Sequence, residues 1–204
     1  MNFAVGALIL AAGRSVRMGR PKLLLPWGQT SVLGHLLSQW SAAGASQVAI
    51  VHAAQDAPIL AELDRLGFPS KDRIENPNTD RGMFSSIVCA AQWGGWDPVL
   101  THWAMVLGDQ PHLGQATLLN LIEFAKQCPE KVCQPMRNGR HRHPVVVPKT
   151  VFQQLAGSTA LSLKQFLLRR EVAALEWDDP GLDLDLDRPE DYQRAMALAG
   201  LTSR

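Results

Sequence analysis

An α/β fold is predicted by the sequence: a Rossmann-like three-layer α/β/α sandwich around a mostly parallel central sheet. Short apolar runs alternate along the chain with longer segments of helical periodicity, which is typical of right-handed βαβ units. Motifs rich in small and charged residues follow directly after two of the apolar runs, at Leu10–Lys22 and at Gly108–Pro111. Ligands of such sheets bind beyond the carboxyl ends of the strands, so we expect both motifs at one binding edge.

The apolar runs predict the strands, because they are short and rich in Val, Ile, Leu and Ala. No Lys or Arg precedes the first run, so we expect a core strand there rather than a signal peptide. In chain order, the predicted strands are Ala4–Leu10, Gln47–His52, a short strand around Ile74, Trp103–Leu107, Val145–Val147, Val172–Trp177 and Leu182–Asp187.

The segments between these runs predict helices, because their apolar residues recur at helical spacing. Gly44 stands where the first helix would end, and Gly94 and Gly95 end the third. Pro189 takes an early position in the last helix, where proline is tolerated. In chain order, the predicted helices are Ser31–Ala43, Ala57–Leu66, Gly82–Trp93, Gln115–Lys126, Lys149–Leu155, Leu161–Arg169 and Arg188–Leu198.

Composition limits the classes of function. The 204 residues are 46% hydrophobic and contain no repeat or long linker, so we expect one domain over residues 1–204. The net charge of +1 gives no global basic surface for nucleic acid or for an anionic membrane. No stretch approaches the roughly 18 apolar residues of a membrane span. The three cysteines form no C-x-x-C pair, which argues against disulfides and structural zinc and favours a cytoplasmic protein.

The segment LAAGRSVRMGRPK, Leu10–Lys22, is the first chemical motif. Its small residues follow a strand and allow backbone N–H groups to approach an anion. Its cations would neutralise that anion, which suggests a nucleoside triphosphate. The segment is neither a Walker A loop nor G-x-G-x-x-G. The candidate contacts in it are Leu10, Ala11, Ala12, Gly13, Arg14, Arg17 and Lys22.

Two acidic motifs follow predicted strands or lie within one. Asp109 comes directly after WAMVLG, where a carboxylate could bind Mg²⁺ or simply cap the next helix or turn. In DLDLDRPEDY, Asp183, Asp185 and Asp187 would share one face of an extended segment, with the intervening leucines facing the core. The alternative for this stretch is a solvated acidic edge strand followed by a helix cap, and for Asp183 we adopt it.

Two further motifs carry polar groups. In GMFSSI, residues Gly82, Ser85 and Ser86 could offer N–H and O–H groups to a nucleotide, or act only as a helix N-cap. In GRHRHP, the residues Arg140 and Arg142 suit a phosphorylated second substrate. His141 and His143 alternate like metal ligands, but two lone histidines are a weak metal signal. For His143 we favour a contact to the second substrate or a structural hydrogen bond.

These motifs together resemble the MobA-like nucleotidyltransferases. Leu10–Lys22 matches the family's L-A-A-G-x-S-x-R-M-G-x-x-K at every fixed position, and GDQP matches its G-D-Q-P. L-A-A-G and KLLLPWG are similar to the molybdenum cofactor cytidylyltransferase branch, whereas the guanylyltransferases typically have L-A-G-G. DLDRPEDY resembles D-I-D-T-P-E-D with Arg188 in place of Thr, and GRHRHP resembles G-x-x-G-H-P with Arg142 in place of the second Gly. The family's G-D-x-G-A-R stretch has no counterpart here.

The resemblance implies a fold of the nucleotide-diphospho-sugar transferase type and transfer of CMP from CTP to the phosphate of a molybdopterin-type cofactor, with pyrophosphate leaving. It implies Mg²⁺ as cofactor and a later transfer of the product to a molybdoenzyme or its chaperone. A guanylyltransferase or another NTP transferase, and a non-catalytic cofactor carrier, are the alternatives. The residues implied are Lys22, Arg17 and Asp109 for catalysis; Asp109, Asp187 and, as second choice, Asp185 for the metal; the Leu10–Arg14 loop, Lys22, Gly82, Ser85, Ser86 and Gly108 for the nucleotide; and Arg140, Arg142 and His143 for the acceptor, within about 135–187.

Overall fold

The computed structural model describes residues 2–13 and 15–201, and its strands and helices alternate along the chain. The strands are β1 (Val5–Leu10), β2 (Pro26–Trp27), β3 (Thr30–Ser31), β4 (Gln47–Ala53), β5 (Arg73–Asn76), β6 (His102–Leu107), β7 (Val132–Arg137), β8 (Arg140–His141), β9 (Val145–Pro148) and β10 (Val172–Glu176). The α-helices are α1 (Val32–Ala42), α2 (Ala57–Arg65), α3 (Met83–Gln92), α4 (Gln115–Gln127), α5 (Lys149–Leu155), α6 (Leu163–Leu167) and α7 (Pro189–Leu198).

The central sheet has eight strands in the order β10-β7-β9-β6-β1-β4-β5, with β8 paired to β7. Strands β8 and β9 run antiparallel to their neighbours, and the other pairs are parallel. The predicted mostly parallel sheet is therefore confirmed. Strand β1 lies between β4 and β6, and Leu10 is opposite Leu107 of β6. The segments that follow β1 and β6 consequently leave the sheet side by side.

Two apolar clusters, one on each face of the sheet, form the core. The side chains of β1 alternate between them, with Ala7 and Ile9 in one cluster and Leu8 and Leu10 in the other. Helices α1, α2, α4 and α7 cover the first cluster, and α3, α5 and α6 cover the second. This alternation with period two is what a strand buried on both faces requires, and it confirms the predicted three-layer α/β/α sandwich.

The structure differs from the sequence predictions of secondary structure at three places. Leu182–Asp187 is not a strand: Pro180–Asp183 forms a 3₁₀ turn whose start Asp179 caps, because its carboxylate accepts from the Gly181 N–H at 2.8 Å. Strand β7 was not predicted, because Pro135 lies within it and proline lacks the N–H that a ladder uses. The helix expected over Leu161–Arg169 is only Leu163–Leu167, since Ser162 caps its start.

The helices of the described residues are also informative about membranes. None of them is both long enough and apolar enough to cross a bilayer.

Gly108 allows the ends of β1 and β6 to approach closely. A Cβ atom at this position would lie 2.8 Å from the Leu10 carbonyl oxygen and 3.0 Å from a methyl carbon of Leu23. The first contact is with backbone, which cannot move without disturbing the β1–β6 pairing. Gly108 therefore places Asp109 beside the loop that follows β1.

We expect Gly108→Ala to lower the free energy of unfolding by about 1–3 kcal/mol, because the added methyl overpacks against backbone. Gly13→Ala is the matched control, since a Cβ at Gly13 would meet nothing within 4 Å. Its stability should be unchanged or slightly higher. Urea unfolding of the two variants and the wild type makes the comparison, and equal stability of the two variants would contradict this account of Gly108.

Candidate functional site

A charged contact joins the ends of two neighbouring strands. The Lys22 ammonium lies 2.6 Å from the Asp109 carboxylate, and both side chains are largely buried, with 16% and 20% exposed. Lys22 begins a short 3₁₀ turn after the β1 loop, and its backbone N–H donates to the Ser15 hydroxyl at 3.2 Å. Asp109 follows β6 directly. The expectation that these two groups share one cleft is met by this geometry.

Asp187 and Arg17 extend this contact. Lys22 Nζ lies 3.8 Å from Asp187 Oδ1, and Arg17 Nη1 lies 2.7 Å from Asp187 Oδ2. The backbone fixes the arrangement, because the Leu186 N–H donates to the Asp109 carbonyl at 3.0 Å. That bond brings Asp187, distant in sequence, to the end of β6. We call Arg17, Lys22, Asp109 and Asp187 the ion-pair network.

Asp185 and Asp183 have different partners, while Leu184 and Leu186, the leucines between the aspartates, pack against the core as predicted. Gln110 Nε2 donates to Asp185 Oδ1 at 2.9 Å. Asp183 instead accepts from Arg137 and Arg142; it is paired rather than solvated, which corrects the reading adopted from the sequence. Pro180–Asp183 forms a turn instead of the start of the predicted strand.

The pKa values of these two carboxyls shift in opposite directions. Burial, and next the nearby Asp109 carboxylate, raise the pKa of Asp185, and Asp187 adds to the shift. At Asp183 burial acts to raise the pKa, but the Arg137 and Arg142 guanidiniums outweigh it and lower the pKa. Asp185 is thus close to other carboxylates, whereas Asp183 lies among cations.

A cavity of about 250 Å³ opens beside the ion-pair network. The β1 loop, the start of α3 and the end of β6 enclose it. Most of the predicted nucleotide contacts line it, together with four residues that the sequence did not single out, Leu23, Thr79, Met83 and Leu107. The lining residues are Leu10, Ala11, Ala12, Gly13, Lys22, Leu23, Thr79, Gly82, Met83, Ser86, Leu107, Gly108 and Asp109.

Two predicted contacts do not line this cavity, and one cannot be placed. Ser85 lines a neighbouring cavity of about 610 Å³ instead. The side chain of Arg17 is 67% exposed and bound to Asp187. Arg14 lies outside the described residues.

Asn76 organises the start of α3, and the sequence analysis did not identify it. Its side chain, almost fully buried, donates to the hydroxyls of Ser85 and Ser86 at 2.9 and 3.0 Å. Ser85 in turn donates to the Gly82 carbonyl, so neither serine caps the helix. The available signal was an asparagine at the end of a buried strand, just before the G-M-x-x-S segment.

The network offers part of a metal site. Oδ1 of Asp109 is buried and has no hydrogen-bond partner, which suits an atom that coordinates a cation. Among the described residues, however, no group of three or more His, Cys, Asp or Glu is arranged to hold a metal ion. Mg²⁺ commonly uses one or two carboxylates and completes its shell with water and substrate phosphates. The residues therefore fit a divalent ion that is shared with a polyphosphate.

A basic groove of about 770 Å³ contains the predicted acceptor residues. Arginine, lysine and histidine side chains line it together with apolar ones, and none of the described residues that line it is acidic. We call it the basic groove. Among the described residues, Arg140 and Lys164 have no ion-pair partner, whereas Arg142 is paired with Asp183. Burial lowers the pKa of His143, and its Nδ1 has no hydrogen-bond partner. The lining residues are Gln134, Gly139, Arg140, His141, Arg142, His143, Val145, Leu163, Lys164, Leu167, Leu168, Arg170 and Val172.

Comparison with known proteins relates the chain to nucleotidyltransferases. A family model described as the MobA-like NTP transferase domain matches residues 7–174. The molybdenum cofactor cytidylyltransferase of Escherichia coli (strain K12) is 26% identical over 192 residues, covering 93% of this chain and 94% of that protein. The molybdenum cofactor guanylyltransferase of Rhizobium johnstonii is 32% identical over 176 residues, covering 82% of this chain and 77% of that protein.

A solved structure has the same fold over nearly the whole chain. The crystal structure of Rv0371c from Mycobacterium tuberculosis H37Rv has a TM-score of 0.73 and 28% identity, covering 95% of this chain and 98% of that chain. A structure of Rv0371c in complex with manganese has a TM-score of 0.65 and 26% identity over the same shares of the two chains.

The raised pKa of Asp185 leads to a test of stability. A carboxyl that binds its proton more tightly in the folded state destabilises the fold when it is ionised. We expect Asp185→Asn to raise the Tm at pH 7, because Asn keeps the oxygen that accepts from Gln110. The gain should shrink as the pH falls through the raised pKa, and it should vanish below the ordinary value of 3.8.

Asp183→Asn is the matched control, and its expected change in Tm has the opposite sign. Its pKa is lowered in the folded state, so the ionised carboxyl stabilises the fold above the ordinary pKa and the variant should melt at a lower temperature at pH 7. Thermal unfolding between about pH 3 and pH 8, without divalent ions, measures the Tm of both variants. An Asp185→Asn variant that melts below the wild type at pH 7 would contradict the account.

Proposed function

The chain belongs to the MobA-like NTP transferase family of nucleotidyltransferases, and we propose that it transfers CMP from CTP onto the phosphate of a molybdopterin-type cofactor. An oxygen of the acceptor phosphate attacks the α-phosphorus of CTP in line, the bond to the β-phosphate oxygen breaks, and pyrophosphate leaves. The observation that carries this proposal is the Lys22–Asp109 contact at the edge of the 250 Å³ cavity. It supports the proposal because an ammonium suits a phosphate and a carboxylate suits a divalent ion, and one polyphosphate could reach both.

The β1 loop and Lys22 bind the triphosphate in this proposal. Backbone N–H groups around Ala12 and Gly13 face the phosphates, and Lys22 neutralises charge that builds up on the α-phosphate. Arg17, whose side chain is largely exposed, meets the outer phosphates. The protein contributes positioning and fixed charge, and no side-chain base is needed, because the acceptor phosphate is already ionised at neutral pH.

Asp109 and Asp187 hold the divalent ion in this proposal, and the nearby Asp185 is the second choice of ligand. These carboxylates would hold the ion, which would supply positive charge to neutralise the phosphates. The unpartnered Oδ1 of Asp109 and the manganese complex of Rv0371c support a divalent ion in general, and Mg²⁺ is our proposal for which ion it is.

The basic groove holds the acceptor in this proposal. His143 begins the turn into β9, whose Val145 pairs with Met105 of β6, so the groove starts near the strand that carries Asp109. Its cationic side chains suit a phosphate, and its apolar side chains suit a flat heterocycle. Lys164 and Arg170 join Arg140, Arg142 and His143 as candidate contacts, because α6 and the turn after it bring them into the same groove.

The choice of CTP rests on Ala12 and on the similar cytidylyltransferase. Ala12 gives the L-A-A-G form of the loop and lines the cavity. The guanylyltransferase of Rhizobium johnstonii, at the higher identity of 32%, makes GTP the second candidate. The cytoplasmic location and the onward transfer to a molybdoenzyme or its chaperone stay predictions.

Pyrophosphate release tests the proposed reaction. We expect release with CTP, and little with ATP, GTP or UTP, only when Mg²⁺ and molybdopterin are both present. Preference for GTP would support a guanylyltransferase, and binding of molybdopterin without release under any condition would support a carrier.

In the same assay, Asp109→Asn should lower kcat by about a hundredfold or more, the scale of losing one key electrostatic group. Asp64→Asn removes a carboxylate on α2 that is 72% exposed, and this control should leave kcat unchanged. A near-normal rate for Asp109→Asn would remove Asp109 from the metal site.

Substitution in the basic groove tests the acceptor site. We expect Arg140→Ala to raise the KM for molybdopterin about fivefold, as for an exposed charge pair of about 1 kcal/mol, with the KM for CTP unchanged. Arg169→Ala removes an exposed arginine that does not line the groove and should change neither constant. Equal effects of the two substitutions would contradict an acceptor site in this groove.

A further inference from the structure

We infer that Lys22 competes with a divalent cation for the same carboxylates, so that the metal and the nucleotide bind to this protein as one unit. The inference deepens the proposed function and rests on it. In the free protein the ammonium neutralises Asp109 and Asp187. On binding, a triphosphate gives Lys22 a new partner and releases both carboxylates to the cation.

The position of the ammonium is the first observation. Lys22 Nζ contacts both proposed metal ligands, at 2.6 Å from Asp109 and 3.8 Å from Asp187. The Arg17 guanidinium binds the other oxygen of Asp187 at 2.7 Å. Each carboxylate that would hold a cation is therefore already neutralised by a side chain.

The incompleteness of the metal site is the second observation. Within the described ranges no three metal-ligating side chains are arranged to hold an ion. Asp109 Oδ1 is the free coordinating atom, and it is adjacent to the oxygen that binds Lys22. A cation arriving alone would find few ligands and a positive charge beside them, and like charges at this range repel.

The balance of charge is the third observation. The network has two cations and two carboxylates that pair with each other, and a third carboxylate, Asp185, lies beside it and is hydrogen-bonded to the uncharged Gln110. A nucleotide arriving alone would meet carboxylates that repel it. A nucleotide arriving with a divalent cation supplies both an anion for Lys22 and a cation for Asp109, so both charges are again compensated. Each ligand therefore favours the binding of the other, and the coupling is reciprocal.

Binding of Mn²⁺, measured by titration calorimetry and by electron paramagnetic resonance of the free ion, tests the inference. For the wild type, we expect CTP to tighten Mn²⁺ binding by about tenfold or more, beyond what CTP binds in solution without protein. Lys22→Gln should bind Mn²⁺ alone about tenfold more tightly than the wild type does. The same substitution should shrink the effect of CTP, because the competing charge is gone.

Arg20→Gln is the matched control, since it removes one positive charge two positions away from Lys22 and none of the carboxylate contacts described involves it. It should leave Mn²⁺ binding within about twofold of the wild type. A Lys22→Gln protein that binds Mn²⁺ no more tightly than the wild type would overturn the inference. The inference would also be overturned if CTP binds to the wild type and the Mn²⁺ affinity does not change.

The binding experiment distinguishes failure of the proposed function from failure of the inferred competition at the carboxylates. If no NTP binds with or without Mn²⁺, the proposed function is wrong, while the nucleotide-free comparison of Lys22→Gln with Arg20→Gln still decides the competition at the carboxylates. Should Lys22→Gln fail to fold, Arg17→Gln provides the second variant, because it frees Asp187 alone and should tighten Mn²⁺ binding by a smaller factor.

Discussion

The contact between Lys22 and Asp109 is the interaction on which the architecture of the site depends. It is possible because β1 and β6 are parallel neighbours in register, with Leu10 opposite Leu107. The segments that follow the two strands therefore begin side by side at the same edge of the sheet. Gly108 lets these segments approach each other to a distance that a side chain would prevent. Sheet topology and one glycine thus bring together two charges that are 87 residues apart in the sequence.

A second long-range bond completes the site. The Leu186 N–H donates to the Asp109 carbonyl, so the segment before α7 is fixed to the end of β6 through backbone rather than side chains. Asp185 and Asp187 are carried with it. Their different partners, Gln110 and the pair Lys22 and Arg17, follow from how this segment turns. Charge is concentrated here, and Lys22 and Arg17 compensate Asp109 and Asp187, which is the physical basis of the coupling between metal and nucleotide that we propose.

Much of the fold was predictable from the sequence, because strand and helix periodicities are local. The strands β1, β4 and β6 and the helices α1 and α4 lie within a residue or two of their predicted bounds. Strand β7 was missed because Pro135 is locally unfavourable in a strand, and only pairing with β9 and β10 explains it. The Leu182–Asp187 segment alternates in sequence like a strand, but it has no neighbouring strand to pair with.

The position of the candidate site could be predicted where the residue types of a sequence motif indicate a chemical role. The loop at Leu10–Lys22 and Asp109 were predicted in this way; residues of both line one cavity, and their roles stay predictions. Asn76 and Gln110 were not assigned roles, because no sequence motif indicates the contacts that they make with Ser86 and Asp185 respectively. Asp183 was misjudged for the same reason: its arginine partners come from β7 and from the turn before β9.

A crystal structure of the protein with CTP and Mg²⁺ tests the central claim most directly. We predict that Lys22 Nζ has left Asp109 and lies within hydrogen-bond distance of a phosphate oxygen, with the ion bound to Asp109. Nucleotide bound elsewhere, while the Lys22–Asp109 pair stays intact, would contradict it.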